Sequence, residues 1–129
     1  MKIHTLVLGF GVASNAYVSL LNENNVETTV LGSPFDQKRI NQLKKNKKDK
    51  IHKIKYSNKI NFLNSDEIKL IDREKVNFII VGTNTKGLVW AIKVLNKLKI
   101  NCPVLLITKG LSLLNNKVVT ISDYFFSKC

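Results

Sequence analysis

The stretch VLGFGVAS, residues 7–14, joins an apolar run to a glycine-containing turn and then to the start of a helical pattern. Residues 3–8 are mostly apolar and rich in β-branched side chains, which is typical of a strand buried on both faces. Apolar side chains then recur at three- and four-residue intervals, at Ala13, Ala16, Tyr17, Leu20 and Leu21. The stretch therefore predicts a strand, a tight turn and a helix that turns these apolar side chains towards the core.

The same alternation of strand and helix continues along the chain. Further strands are predicted at residues 26–31, 59–63, 76–81 and 104–107, and further helices at residues 35–48, 66–73 and 85–98. We expect Ser65 to cap one helix, the run 104–107 to be a core strand, and residues 118–126 to form a helix, although a strand also fits there. This order predicts one domain, residues 1–129, of the Rossmann-type doubly wound α/β class, with a mainly parallel sheet and helices on both faces.

The composition is that of an ordinary globular domain. Hydrophobic residues make up 44% and charged residues 23% of the 129 residues. The longest apolar runs are far shorter than the roughly 20 residues of a membrane-spanning helix, so we expect no membrane span. The N-terminus lacks the small-residue cleavage site of a secretory signal, and Cys102 and Cys129 form no disulfide or metal-binding pattern, so a cytoplasmic location is expected.

The net charge of +12 raises the question of a nucleic-acid partner. Ten basic residues and a single acid, Asp49, lie between Lys38 and Lys59. Of the 21 basic residues, however, only Arg39 and Arg73 are arginines, the type suited to bidentate phosphate contacts. We therefore favour a solvated lysine-rich face and expect no nucleic-acid partner.

The glycines between the first strand and the first helix have the spacing of a dinucleotide-binding turn. Gly9 permits a tight turn, and Gly11 lets a pyrophosphate approach the backbone. The start of the helix, at Val12 and Ala13, contributes amides and the positive end of the helix dipole. Ser14 takes the place of a third glycine. A dinucleotide is predicted to bind at Gly9, Gly11, Val12 and Ala13. A purely structural glycine turn is the alternative.

Two further predicted strand ends contribute candidate ligands, because the carboxyl ends of parallel strands share one edge of the sheet. Gly82, Thr83 and Asn84 follow one of these strands and are predicted to face the cofactor across the point where the strand order reverses; an ordinary strand-to-helix loop is the alternative. Ser33 follows the other strand and is predicted to lie near the adenosine ribose.

The cofactor itself is left open between NAD and NADP. An acid at the end of the second strand would indicate NAD, but Asp36 lies several residues beyond that end. Ser33, Lys38 and Arg39 could instead accept a 2′-phosphate. His4 and His52 have no partner pattern, so neither a catalytic nor a metal role is assigned to them, and no metal site is predicted.

Four stretches in sequence order resemble the N-terminal domain of the NAD(P)-dependent glycerol-3-phosphate dehydrogenases. They are VLGFGVASNA (7–16), VLGSPFDQKRINQLKKNK (30–47), FIIVGTNTKGLVWAIKVLNKL (78–98) and VLLITKGL (104–111). The most specific match is the Thr-Lys-Gly-Leu motif at residues 108–111, directly after the last predicted strand. The resemblance implies that Lys109 contacts both the cofactor and a small phosphorylated substrate, with hydride transfer between NAD(P)H and dihydroxyacetone phosphate.

The same resemblance implies a second, all-helical domain that carries the general-base lysine, and we expect no counterpart of it within residues 1–129. We therefore expect the isolated chain to bind a dinucleotide without turnover, and to act as a homodimer or with a separately encoded C-terminal domain. Two alternatives stay open: a stand-alone dinucleotide-binding or sensing module, and a related reductase such as a ketopantoate-reductase-like or hydroxy-acid dehydrogenase-like enzyme.

Overall fold

A computed structural model describes residues 2–129. In chain order its elements are β1 (His4–Leu8), α1 (Val12–Glu23), β2 (Glu27–Leu31), α2 (Gln37–Asn46), β3 (Lys48–Asp49), β4 (Ile54–Lys55), β5 (Ile60–Leu63), a 3-10 helix (Ser65–Leu70), β6 (Phe78–Val81), α3 (Thr85–Leu98), β7 (Val104–Leu106), β8 (Leu111–Leu114), β9 (Lys117–Thr120) and α4 (Ile121–Lys128). Across these residues no helix combines the length and apolar character needed to cross a membrane.

The centre of the molecule is a five-stranded parallel sheet with the order β5-β2-β1-β6-β7. The chain builds outward from β1 to β5 on one side and then returns to β6 and β7 on the other. Leu8 pairs with Leu31 on one side and Val81 on the other, so the carboxyl ends of the three central strands are level. This confirms the predicted Rossmann-type α/β fold and places the reversal of strand order between β1 and β6.

The two faces of the sheet are covered by different helices. Val7 of β1 packs in one apolar cluster with Val18 of α1 and Ile40 of α2. Leu6, its neighbour, points to the other face and shares a cluster with Leu88 of α3 and with α4. Leu6, Val7 and Leu8 are fully buried, and burying each such side chain contributes roughly 1.5–3 kcal/mol, which explains why these three consecutive residues of β1 are all apolar.

The predicted core-facing side of α1 is wrong. Ser14, Asn15 and Val18 are the buried residues of the helix, while most of the predicted apolar stripe, including Leu20 at 56% exposure, faces solvent. The cause is a close approach to the sheet: the inner face carries small or hydrogen-bonded polar side chains. Asn15, for example, accepts a hydrogen bond from the buried hydroxyl of Tyr56.

The run 104–107 is also not a core strand. β7 lies at the edge of the sheet and pairs with β6 alone, and Val104 and Leu105 are 38% and 37% exposed. An apolar run in the sequence does not show whether a strand is central or at the edge, because its position depends on whether a second strand pairs with its other side.

The predicted C-terminal helix is shorter than expected. Residues 117–120 form β9, which pairs with β8 in a hairpin that the sequence reading missed, and α4 follows. Asn115 and Asn116 both have positive φ, at 52° and 63°, as a two-residue hairpin turn requires. A smaller correction concerns the 3-10 helix, whose N-cap is Asn64 rather than Ser65; the Asn64 amide donates a hydrogen bond to Glu67 Oε1 at 3.0 Å.

Candidate functional site

A cavity of about 160 Å³ lies where the loops after β1, β2 and β6 meet. It is lined by Gly9, Phe10, Gly11, Ser33, Phe35, Asp36, Gly82, Thr83, Asn84 and Gly87. Six of the predicted cofactor-binding residues are therefore brought together: Gly9, Gly11, Ser33, Gly82, Thr83 and Asn84. The volume is below the roughly 300–1,000 Å³ of a typical small-molecule pocket, so a whole dinucleotide would extend over the open surface beside it.

Gly9 is required by its conformation and by its neighbour. Its φ of +86° lies in the left-handed region, and a Cβ there would come within 2.7 Å of Thr83 Cγ2. The loop after β1 thus lies directly against the loop after β6.

The start of α1 is open. Gly11 is its N-cap, and no side chain caps the helix. A Cβ on Gly11 would meet nothing within 4 Å. The first amides of a helix have no partner within the helix, and they carry the positive end of its dipole. This end of α1 therefore presents unpaired donors beside free space.

The start of α3, in contrast, is already satisfied. The Oδ1 atom of Asn84 accepts a hydrogen bond from the Gly87 amide at 2.8 Å, so Asn84 is the N-cap of α3. Its side-chain oxygen is used by the protein itself, although the residue lines the cavity as predicted for a ligand-binding position. Compared with the start of α3, the start of α1 is the one that could receive an anion.

Ser14 stands where a third glycine would allow close packing of helix on strand, and here Gly82 makes the space. The Ser14 hydroxyl donates to the Gly82 carbonyl at 3.0 Å, and a Cβ on Gly82 would lie 1.7 Å from Ser14 Oγ. The close packing of helix on sheet is thus kept, because the residue without a side chain is Gly82, at the end of β6, rather than a residue of the helix. This explains why the serine is compatible with the fold.

Thr83 brings a polar group that the protein leaves unsatisfied. The residue is 8% exposed, and its buried Oγ1 has no hydrogen-bond partner among residues 2–129. Its backbone carbonyl, in contrast, accepts from Thr108 Oγ1 at 2.7 Å. A buried hydroxyl without a partner costs about 1–3 kcal/mol, so this is a position where a ligand or water would be favoured.

Asp36 returns to the glycine turn although it lies five residues beyond β2. Its amide donates to the Ser33 carbonyl at 2.9 Å, which closes a turn through Pro34. The carboxylate then accepts a hydrogen bond from the Phe10 amide at 3.0 Å. Sequence reasoning missed this position because it looked for the acid at the strand end; the Ser-Pro-x-Asp turn was the available signal.

Three predicted residues lie outside the cavity lining. Val12 and Ala13 are exposed in the first turn of α1. Lys109 is exposed beside the start of α3, where its backbone carbonyl accepts from Thr85 Oγ1 at 3.3 Å. Within the described residues, the Lys109 side chain has no ion pair or hydrogen bond, so its ammonium group is free to meet a ligand.

The residues predicted as alternative phosphate ligands are partly committed elsewhere. Arg39 Nη2 lies 2.6 Å from Asp49 Oδ2, and the guanidinium stacks 4.7 Å from the centre of the Phe10 ring. Burial of Asp49 alone would raise its pKa, but hydrogen bonds from His52 and Arg39 outweigh this and lower the pKa to about 2. His52 therefore does have a partner, contrary to the sequence reading: its Nδ1 lies 2.9 Å from Asp49.

Within residues 2–129, no three His, Cys, Asp or Glu side chains converge. Phe35, at 84% exposure, and Gly87 also line the cavity and were not predicted. An exposed aromatic ring beside a ligand cleft has no periodic signal in the sequence.

Comparison with known proteins bears on the fold. The sequence matches no protein-family model and no curated protein. Among solved structures, the chain is similar to the glycerol-3-phosphate dehydrogenase of Coxiella burnetii, with a TM-score of 0.70 and 14% sequence identity over 86% of this chain. The chain spans 34% of the length of that protein. At this identity the likeness shows a shared Rossmann-like fold.

Proposed function

We propose that this chain is the nicotinamide dinucleotide-binding domain of an oxidoreductase of the glycerol-3-phosphate dehydrogenase type. The observation that carries the proposal is the open start of α1 at Gly11, which faces a cavity at the reversal of strand order. In open α/β sheets this is where ligands bind. A helix start with unpaired amides favours a phosphate group there.

The residues present fit such a cofactor. The backbone at Gly9 and Gly11 forms a cradle without side chains, in which the space above Gly11 is free. The unsatisfied hydroxyl of Thr83 lies in the wall of the same cavity. A pyrophosphate over Gly11 would accept hydrogen bonds from the first amides of α1, and the exposed Phe35 ring would offer an apolar surface to the adenosine.

The glycerol-3-phosphate type rests on the Thr-Lys-Gly-Leu motif together with its place in the fold. Thr108 and Lys109 are fastened to the loop after β6 and to the start of α3, through Thr83 and Thr85. The backbone of Lys109 is thereby held at the same edge of the sheet as the cavity, and its ammonium group has no partner among the described residues. A bound nicotinamide ring would supply the hydride; the part of Lys109 would be to hold a phosphorylated substrate by charge.

The proposal assigns cofactor binding to this chain and proton donation to another part of the enzyme. Within residues 2–129, the only titratable side chain that lines the cavity is Asp36, which is tied to the glycine turn. We therefore expect the proton donor to come from a second domain or chain, and the 129-residue chain alone to bind the cofactor without reducing dihydroxyacetone phosphate.

Thermal unfolding in the presence of NADH and NADPH tests the proposal. A ligand that binds the native state stabilises it by about 1.4 kcal/mol at ten times its dissociation constant, which raises the melting temperature by a few degrees for a domain of this size. We expect such a rise with at least one of the two, and a smaller rise with AMP, which lacks the pyrophosphate. No rise with either dinucleotide at millimolar concentration would overturn the proposal.

A further inference from the structure

The wall of the cavity carries the carboxylate of Asp36, in the loop after β2. In this fold the adenosine ribose, which bears the 2′-phosphate of NADP(H) but not of NAD(H), binds near the end of that strand. We infer that the site takes NAD(H) and discriminates against NADP(H), and that Asp36 is the residue that determines this specificity. The inference rests on the proposed function, which left the choice between the two cofactors open.

The Asp36 carboxylate is held in the cavity wall by the protein. The residue is the N-cap of α2, yet its side chain does not cap that helix. Instead Oδ2 accepts three hydrogen bonds: from the Phe10 amide at 3.0 Å, from the Ser33 amide at 2.8 Å and from the Ser33 hydroxyl at 2.9 Å. These donors fix the side chain between the glycine turn and the end of β2.

The second carboxylate oxygen is left for a ligand. Asp36 Oδ1 has no hydrogen-bond partner among the described residues, and the side chain is only partly buried. In this fold the adenosine ribose lies over the end of the second strand, where a carboxylate accepts hydrogen bonds from its hydroxyls. Asp36 therefore offers NAD(H) an acceptor at the place where the ribose hydroxyls would lie.

The 2′-phosphate of NADP(H) would meet the same carboxylate as a like charge. Such a phosphate monoester carries about 1.5 to 2 negative charges at pH 7. Repulsion between unit charges about 4 Å apart weakens binding roughly fivefold even at the dielectric constant of water, and the lost hydrogen bonds add to this. We expect NADPH to bind at least about tenfold more weakly than NADH, a difference of about 1.4 kcal/mol.

The nearby cations belong to a different cavity. Lys38, Arg39, Lys48 and Lys50 line a separate space of about 280 Å³, which shares only Phe35 with the first cavity. Arg39, the cation best suited to a phosphate, is paired with Asp49 and stacked on Phe10. The charge that lines the candidate dinucleotide cavity itself is the carboxylate of Asp36.

Calorimetric titration of the chain with NADH and with NADPH tests the inference, using three proteins: the unaltered chain, Asp36→Asn and Asp72→Asn. Asparagine keeps an acceptor oxygen for Phe10 and Ser33 but removes the charge. Asp72 is an exposed acid before β6, at the opposite edge of the sheet, and is the matched control. The ratio of the two dissociation constants is compared within each protein, so a general loss of stability cancels.

We expect the ratio to favour NADH at least about tenfold in the unaltered chain and in Asp72→Asn, and to fall to within about threefold of unity in Asp36→Asn. Equal or tighter binding of NADPH by the unaltered chain would overturn the inference and leave the proposed function standing. An unchanged ratio in Asp36→Asn would also overturn it. Failure of both dinucleotides to bind the unaltered chain would overturn the proposed function as well.

Discussion

The close packing of α1 against the end of β6 can be tested by substitutions at Gly82 and Ser14, which face each other across the contact. In Gly82→Ala the new Cβ would lie 1.7 Å from Ser14 Oγ and 3.2 Å from Ile107 Cδ1. Ser14 is fully buried, so its hydroxyl can only move by giving up its hydrogen bond to the Gly82 carbonyl. Overpacking costs about 1–3 kcal/mol and the lost hydrogen bond about 1 kcal/mol, so we expect Gly82→Ala to lower the free energy of unfolding by about 2–4 kcal/mol.

The second substitution, Ser14→Gly, removes the side chain that the new methyl group strikes. Alone it should cost about 1–2 kcal/mol, through the hydrogen bond and the glycine in a helix. In the double variant the methyl group of residue 82 enters the vacated space, so the two costs should not add; we expect the double variant to be at least about 1 kcal/mol more stable than their sum.

Urea denaturation of the four proteins, followed by circular dichroism, measures this coupling. Gly11→Ala serves as the control, because a Cβ there meets nothing within 4 Å and should cost no more than about 1 kcal/mol as a poorer N-cap. Additive effects of the two substitutions would refute the reasoning, since they would mean that Ser14 and Gly82 do not compete for the same space.

Two further predictions concern charged side chains. Because the pKa of Asp49 is lowered to about 2, its ionised form stabilises the fold above its ordinary pKa near 4, and this contribution is lost as the pH falls towards 2. Between pH 5 and pH 2.5 the free energy of unfolding of the unaltered chain, measured by urea denaturation, should therefore fall by about 2 kcal/mol more than that of Asp49→Asn; parallel losses would contradict the stabilising effect of the ionised Asp49 carboxylate. Lys109→Ala should leave the melting temperature unchanged but weaken binding of glycerol 3-phosphate to the NADH-loaded chain about tenfold. The control is Lys117→Ala, at an exposed lysine of β9, which should change neither quantity. Equal effects of the two substitutions on binding would argue against a ligand-facing Lys109.

The elements that meet at the cavity were the most predictable from the sequence. β1 and β6 are short apolar runs buried on both faces, and each ends in a glycine before a helix. These local signals agree with the tertiary structure, because buried parallel strands and tight strand-to-helix turns have strong residue preferences. The fold class followed from their order.

The features that were missed depend on contacts distant in the sequence. The inner face of α1 is set by how closely Gly82, 68 residues away from Ser14, lets the helix approach. The exposure of β7 depends on whether another strand lies beyond it. Asp36 reaches the glycine turn only because a turn after β2 reverses the chain. Periodicity within one segment carries none of this information.

The central claim, that the open start of α1 receives a dinucleotide pyrophosphate, is tested most directly at Gly11. Its backbone angles, φ −85° and ψ −167°, are accessible to any residue, and the space beyond it is empty of protein. A valine there would fill the space of the pyrophosphate while leaving the fold intact. In calorimetric titrations with NADH, Gly11→Val should bind at least about tenfold more weakly than the unaltered chain, with its free energy of unfolding lowered by no more than about 1 kcal/mol. Unaltered NADH affinity in a stably folded Gly11→Val would contradict the claim.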